Sequence, residues 1–157
     1  MFPQPEDQAS YQYPRKGLLQ AYGIVQRAEI RDPQHIDANY QKCLLVVKNG
    51  ATTGTTIGRA NGLESVQRTC EEYDIVKQTS IEIAVLPYSR TRGAFSDRGD
   101  SGSIVLTRNG QILGLLTGGA GPTAETDITF VTPYWWLEQQ IKKQFPGAFL
   151  YDIVTLP

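Results

Sequence analysis

The chain has 157 residues, of which 40% are hydrophobic and 20% charged, and its formal net charge is −1. This length suits one domain and is short for two full ones, and the near-neutral charge gives no electrostatic footprint for nucleic acid. One histidine, His35, and two cysteines, Cys43 and Cys70, are too few for a zinc site of the CxxC type. We therefore expect no metal and no cofactor.

The N-terminal residues lack the basic region and apolar run of a secretory signal, and no segment approaches the ~18 apolar residues that span a bilayer. Two cysteines without a disulfide framework fit a reducing compartment. We expect free, inert thiols and an intracellular, cytoplasmic location without a membrane partner, and a Cys43–Cys70 disulfide is the alternative. Residues 1–16 hold three prolines and few aliphatic side chains, which predicts a flexible tail ahead of one folded domain, residues 17–157.

The first part of that domain predicts a loop followed by a hairpin. Residues 27–41 carry charges and a proline, which indicates a loop. Residues 42–48 are β-branched and aliphatic, Asn49-Gly50 is the strongest short signal for a type I′ turn, and residues 52–57 are rich in threonine. We expect two antiparallel strands joined at Asn49-Gly50.

Glycines interrupt the second strand of this hairpin and the segment that follows it. Gly54 and Gly58 predict bulges or bends of a curved strand, and Asn61-Gly62 predicts the start of a second polar loop.

The second half predicts further strands and one helix. Residues 79–86 read as a strand, and residues 103–107 and 111–117 as a second hairpin. Thr132 is the expected N-cap of a terminal helix, in which Leu137, Ile141 and Phe145 would form one apolar face. Short strands, glycine-rich turns and a terminal helix together indicate a closed antiparallel β-barrel.

The loop before the second hairpin carries the chemistry. Ser101 lies between small residues that leave its hydroxyl exposed, and the N–H groups of Gly99 and Ser101 are spaced to form an oxyanion hole for acyl transfer. An ordinary Gly/Ser/Asp turn is the competing interpretation. The α/β-hydrolase elbow is excluded because position 103 is serine rather than glycine, and a phosphate-binding loop would need a lysine and a helix to follow.

The segment Gly99-Asp-Ser-Gly-Ser103 resembles the nucleophile segment of trypsin-like, chymotrypsin-fold serine proteases. The resemblance extends over about residues 40–150, including the hairpin at residues 110–119 and the strand and helix from Asp127 onward. It is greatest to intracellular, disulfide-poor trypsin-like proteins of fungi. It implies an all-β fold: a six-stranded antiparallel Greek-key barrel with one C-terminal α-helix, equivalent to the C-terminal barrel of such a protease.

The resemblance also implies roles for single residues. Ser101 aligns with the nucleophile, Gly99 with the oxyanion hole and Asp100 with the buried aspartate that supports the loop. Phe95 falls near the base of the specificity pocket, and a phenylalanine there implies a pocket that does not select lysine or arginine. Further substrate-binding positions are Thr117, Gly118 and Gly119.

The family takes its triad histidine and aspartate from a first barrel, which precedes the serine barrel. The chain has the length and strands of the second barrel alone, and His35 lies where the connection between barrels would enter. We therefore expect a serine endopeptidase barrel that is inactive alone, with a polypeptide substrate and a separate N-terminal barrel as a candidate partner. The alternatives are a silent barrel that binds peptides or proteins, and His35 as a relocated base.

Overall fold

A computed structural model describes residues 21–37, 39–69, 78–89, 93–121 and 127–150. The expected tail at residues 1–16 and the cysteine Cys70 lie outside these ranges. Cys43 is a buried free thiol, and its pKa is raised to about 11, mainly by burial. It is therefore a neutral packing group. No helix in the described ranges has the length and apolar character to cross a membrane.

The described residues form seven strands and two helices. In chain order these are α1 (Arg27–Arg31), β1 (His35–Ile36), β2 (Lys42–Gly50), β3 (Gly54–Thr69), β4 (Gln78–Pro87), β5 (Ile104–Thr107), β6 (Ile112–Ala120), β7 (Ile128–Pro133) and α2 (Tyr134–Gln144).

The strands make one antiparallel sheet in the order β1-β2-β3-β4-β7-β6-β5. The sheet closes because β5 also pairs with β2, through Val46, Val47 and Lys48. Strands β2 to β7 thus form a closed six-stranded barrel, and β1 lies beside the first residues of β2. The predicted six-stranded antiparallel barrel with one C-terminal helix is confirmed.

The position of β2 in the barrel explains why its sequence is apolar without alternation. Leu44 and Val46 point into the barrel and join its central hydrophobic cluster. Val47 faces outward, where it packs with Leu106 and Ile112 under Ala21, Tyr134 and Leu150. Both faces of the strand are covered, so both require apolar side chains.

The first hairpin turns later than expected. Gly50 pairs with Gly54, so the turn consists of residues 51–53 and the prediction of a turn at Asn49-Gly50 is wrong. Gly50 is instead required by packing, because a Cβ there would collide with the carboxylate of Asp100. Gly54 supplies the left-handed backbone that ends the turn, at φ +62°.

Strand β3 is also longer than expected. The polar loop predicted at Asn61-Gly62 is a bulge between Ala60 and Glu64, beyond which β3 continues to Thr69. Gly62 has φ +83° and a Cβ there would press on the carbonyl of Ile30. The bulge is the place where α1 rests on the barrel, and α1 itself lies in the segment expected to be a loop.

Helix α2 begins one residue later than expected. Pro133 is its N-cap, and its first residue is Tyr134, whereas the hydroxyl of Thr132 donates to that of Thr117. The expected apolar face is only partly used, since Leu137 is half-buried while Ile141 and Phe145 are 42% and 68% exposed.

Candidate active site

The loop between β4 and β5 is held to the β2–β3 turn by the carboxylate of Asp100, which is 0% exposed. The N–H of Thr52 donates to Oδ1 at 2.8 Å and that of Thr53 at 3.2 Å. The hydroxyl of Thr53 donates to Oδ2 at 2.6 Å, and the N–H of Asp97 donates to Oδ2 at 3.1 Å. The ammonium of Lys48 lies 3.0 Å from Oδ2. Two separate turns therefore depend on one side chain.

Lys48 supplies the charge that makes this burial possible. Its side chain is 0% exposed, its Nζ donates to the carbonyl of Gly54 at 3.2 Å and to the Thr53 hydroxyl, and it lies 5.7 Å from the centroid of the Phe95 ring. Burial by itself raises the pKa of Asp100, but the hydrogen bonds from Thr53, Lys48 and backbone N–H groups outweigh it and hold that pKa well below its usual range. The Asp100 carboxylate is therefore ionised at neutral pH.

Ser101 follows this anchor and is exposed. Within residues 97–103, two N–H groups, those of Gly99 and Ser101, have no hydrogen-bond acceptor among the described residues. Gly99 adopts φ +98°, and a Cβ there would collide with the Thr52 hydroxyl. The other five N–H groups are used: Asp97 to Asp100 Oδ2, Arg98 to Asp97 Oδ1, Asp100 to Asp97 O, Gly102 to Leu116 O and Ser103 to Asp100 O.

A pocket of about 370 Å³ opens beside Ser101. Its wall from β6 consists mainly of backbone, and a Cβ at Gly118 would meet nothing within 4 Å. The rest of the lining comes from the loop and from Asp127, the residue before β7. The lining residues are Ser96, Asp97, Arg98, Ser101, Leu116, Gly118, Gly119, Ala120, Gly121 and Asp127.

Two expected pocket residues lie elsewhere. The ring of Phe95 is 1% exposed and belongs to the central cluster of the barrel, so it does not line the pocket. The hydroxyl of Thr117 points toward β7, where it donates to the carbonyl of Phe130 at 3.3 Å. The expectation that the pocket does not select lysine or arginine rested on Phe95 at its base, and this ring lies in the barrel core instead.

Two carboxylates line the pocket instead, and sequence reasoning missed both. Asp127 accepts the N–H of Phe95 at 2.6 Å, and its pKa is raised by burial and by the neighbouring charge of Asp97, partly offset by the Phe95 N–H. Asp127 directly precedes β7, which pairs with the pocket wall at Gly119 and Ala120. The position of Asp127 just before β7 could have indicated that it lines the pocket, but the family resemblance pointed to Phe95 instead. Lys48 was also missed, although it continues the inward-facing alternation of Leu44 and Val46.

His35 lies at the other end of β2. It pairs with Cys43, and its Nδ1 accepts the N–H of Leu45 at 3.2 Å, whereas the loop anchor Asp100 lies against Gly50. At about 3.3 Å per residue, the interval from Cys43 to Gly50 separates His35 from the loop by roughly 20 Å. No other histidine occurs in the chain. The described residues also contain no group of three or more side chains that could hold a metal ion.

The closed six-stranded barrel with its C-terminal helix is the fold of one barrel of a chymotrypsin-like protein. Several solved structures resemble the chain. The crystal structure of chymotrypsin from Cellulomonas bogoriensis matches with a TM-score of 0.51 and 20% identity, over 82% of this chain and 56% of that one. The active form of the Rv3671c protease from M. tuberculosis matches with a TM-score of 0.49 and 21% identity, over 75% and 46%. The chain thus spans about half the length of these structures. No family model and no curated protein matches its sequence.

Proposed function

We propose that the chain is the nucleophile-bearing barrel of a serine endopeptidase. The observation that carries the proposal is the pattern of N–H groups around Ser101: five of the seven donors at residues 97–103 are used, and the two left over, those of Gly99 and Ser101, are available to donate to an attacked carbonyl oxygen. The fold shared with a chymotrypsin supports the same reading. The buried Asp100 carboxylate anchors the loop in this conformation.

In the proposed reaction, the Ser101 hydroxyl oxygen attacks the carbonyl carbon of a peptide bond. Its proton passes to an imidazole base, and the carbonyl oxygen becomes an oxyanion that accepts the N–H groups of Gly99 and Ser101. Collapse of this intermediate breaks the carbon–nitrogen bond, and the imidazolium returns the proton to the leaving amine. Water then hydrolyses the acyl group by the same route.

The imidazole must come from outside this barrel, because His35 lies roughly 20 Å from the loop by the spacing along β2. We propose a companion barrel, linked or separate, as its source. Without the base, only the oxyanion hole and binding remain, which is about 10³–10⁴-fold over water in enzymes of this type. The barrel alone is therefore not an efficient protease.

The substrate backbone has a place beside Ser101. The strand β6 is paired with β7 through Ala120, but its pairing with β5 ends at Leu115. Beyond Leu116, the edge of β6 that faces the loop has no strand partner among the described residues. An extended peptide can add there by backbone hydrogen bonds, with its side chain directed into the pocket.

Chemical rescue tests the proposal. The whole chain is treated with a fluorophosphonate probe while imidazole is titrated into the buffer, and labelled peptides are identified by mass spectrometry. We expect labelling of Ser101 at a rate that rises with imidazole, and its loss in Ser101→Ala. Ser103→Ala, two residues away, is the matched control and keeps the wild-type rate. Labelling that is independent of imidazole and survives Ser101→Ala would exclude the proposal.

A silent peptide-binding barrel is the second candidate, and the remote position of His35 favours it. It predicts that extended peptides bind with the same affinity to wild type and to Ser101→Ala, and that no companion barrel restores hydrolysis. Hydrolysis of a peptide that Ser101→Ala abolishes would exclude this candidate.

A further inference from the structure

We propose that the Thr52 hydroxyl is a positioning group: it decides the orientation of the Arg98–Gly99 peptide, and with it whether the Gly99 N–H is free to donate in the site. The inference rests on the proposed function, because a free donor at this position serves an attacked carbonyl oxygen. It adds a side chain of the β2–β3 turn to a site otherwise built from the β4–β5 loop and β6.

The Arg98–Gly99 peptide is held by one hydrogen bond. The hydroxyl of Thr52 donates to the Arg98 carbonyl at 2.7 Å, and within the described ranges nothing else bonds to this carbonyl or to the Gly99 N–H. The neighbouring groups are fixed inside the loop, since the Asp100 N–H donates to the Asp97 carbonyl at 3.1 Å and the Arg98 N–H donates to Asp97 Oδ1 at 2.7 Å. The orientation of this one peptide therefore depends on a side chain from another turn.

Planarity carries the effect of that bond to the next residue. In a trans peptide the C=O and the N–H point in opposite directions, and no peptide bond of the described residues is cis. Because Thr52 holds the Arg98 carbonyl, the Gly99 N–H points to the side away from Thr52. It is thus turned away from a hydroxyl that could otherwise accept it, and it stays available as a donor.

The backbone can also adopt the opposite orientation. Arg98 and Gly99 are exposed, and rotation of the peptide between them leaves both side chains in place. The rotation would carry φ of Gly99 from +98° to about −80°, which every residue adopts. The present orientation instead needs a glycine, and a Cβ at Gly99 would collide with the Thr52 hydroxyl. Glycine therefore permits the present orientation, and Thr52 selects it.

The Thr52 hydroxyl is itself held in register by the buried Asp100 carboxylate. The N–H of Thr52 donates to Asp100 Oδ1 at 2.8 Å, so the turn cannot move away from the loop without breaking this bond. Asp100 fixes the Thr52 backbone, the Thr52 hydroxyl fixes the Arg98 carbonyl, and that carbonyl fixes the direction of the Gly99 N–H. The buried anchor thereby reaches the surface of the site.

The test compares Thr52→Val, which keeps the β-branched shape and the N–H but lacks the hydroxyl, with Thr52→Ser, which keeps the hydroxyl. Each whole chain is treated with the fluorophosphonate probe at one fixed imidazole concentration. Since a neutral hydrogen bond shifts an equilibrium by about fivefold, we expect Thr52→Val to label Ser101 at least about threefold more slowly and Thr52→Ser to keep the wild-type rate. Thr55→Val is the matched control, because the exposed Thr55 hydroxyl contacts Asn49 rather than the loop, and it also keeps the wild-type rate.

NMR measures the orientation without any chemistry. The NOE between the Arg98 Hα and the Gly99 amide proton depends on ψ of Arg98, which the rotation changes. We expect this NOE to change in Thr52→Val and to stay as in wild type in Thr52→Ser. The amides of Thr53 and Asp97, which donate to Asp100, should keep their shifts in both variants, whereas a general loosening of the turn would move them.

A wild-type labelling rate in Thr52→Val, a slower rate with an unchanged NOE, or a loss that Thr52→Ser does not recover would overturn the inference and leave the proposed function standing. Absence of Ser101 labelling in the wild-type chain would exclude the proposed function. The NOE then decides by itself: a change confined to Thr52→Val retains the positioning role, and the same NOE in all chains overturns it. If Thr52→Val does not fold, Thr52→Ala takes its place.

Discussion

At the scale of single residues, the Asp100 carboxylate connects the loop that carries Ser101 to the barrel interior. It accepts hydrogen bonds from three backbone N–H groups and one hydroxyl and pairs with the Lys48 ammonium. An ion pair of this kind contributes little net stability compared with an apolar pair, but removal of one partner leaves a buried charge alone. The pair therefore acts mainly as a constraint on where Ser101 lies.

We predict that Asp100→Asn lowers the free energy of unfolding by about 3–5 kcal/mol, because Lys48 is left buried without a counter-charge. Urea denaturation at pH 7 measures the change. Lys48→Met should cost less, because Asp100 retains four hydrogen-bond donors. The depressed pKa of Asp100 means that its contribution is present above its ordinary pKa of 3.8 and is lost in acid, as the pH falls toward the native value. A cost for Asp100→Asn below about 1 kcal/mol would contradict the structure.

At the scale of elements, helix α1 is joined to the bulge of β3 by charge. Glu64 receives the guanidinium of Arg27 at 2.9 Å and that of Arg31 at 3.0 Å. The hydrogen bond from Arg27, followed by that from Arg31, lowers the pKa of Glu64 to about 2. Arg27 also lies 5.4 Å from the centroid of the Trp135 ring, so the same arginine links the bulge to α2.

We predict that Glu64→Gln lowers the Tm at neutral pH and loosens α1. Because the native pKa of Glu64 is lowered, its stabilising effect is fully present above its ordinary pKa of 4.5 and is lost as the pH falls to about 2. The difference in Tm between wild type and variant should therefore shrink through that interval. Added salt should reduce it as well, since the arginines are partly exposed. A difference that is constant from pH 7 to pH 2 would contradict this account.

The elements also show where sequence reasoning succeeds. The barrel could be predicted because β-branched runs and glycine turns report local preference, and the order of elements matches a known fold. The true position of the first turn, at residues 51–53, could not be predicted, because Gly50 is selected by the approach of Asp100 from a loop far along the chain. The bulge at Gly62 is likewise set by α1. Local patterns do not contain such long-range contacts.

The residues of the candidate site also differ in how far the sequence alone could identify them. Ser101 and its flanking residues form a contiguous motif, so they could be recognised as a candidate site from the sequence alone. Lys48 and Asp127 act through tertiary packing, and each reads as an ordinary strand or turn residue until the barrel brings it to the loop. The family resemblance placed Phe95 at the base of the specificity pocket, but its ring packs in the central hydrophobic cluster of the barrel.

At the scale of the whole molecule, strand β2 both closes the barrel and anchors the loop that carries Ser101. The seam of the barrel is the pairing of β2 with β5, in which Lys48 lies opposite Val105. The side chain of Lys48 also reaches Asp100. The N–H of Gly102 donates to Leu116 at 2.7 Å, which fastens the loop to β6 as well. The loop that carries Ser101 is thus tied to strands on both sides of the seam.

This double attachment has a consequence for local unfolding. A loop anchored in the barrel interior cannot open by itself, so it belongs to the same cooperative unit as the strands. We predict that the amides of Thr52 and Gly102 exchange with solvent deuterium only through global unfolding, with the protection of Val105, whereas amides of α1 exchange through smaller openings. Exchange of Gly102 at lower free energy than Val105 would show an independent loop. If the loop and the barrel open together, the reactivity of Ser101 reports whether the barrel is intact. A condition that separates β2 from β5 would then abolish the barrel and that reactivity together.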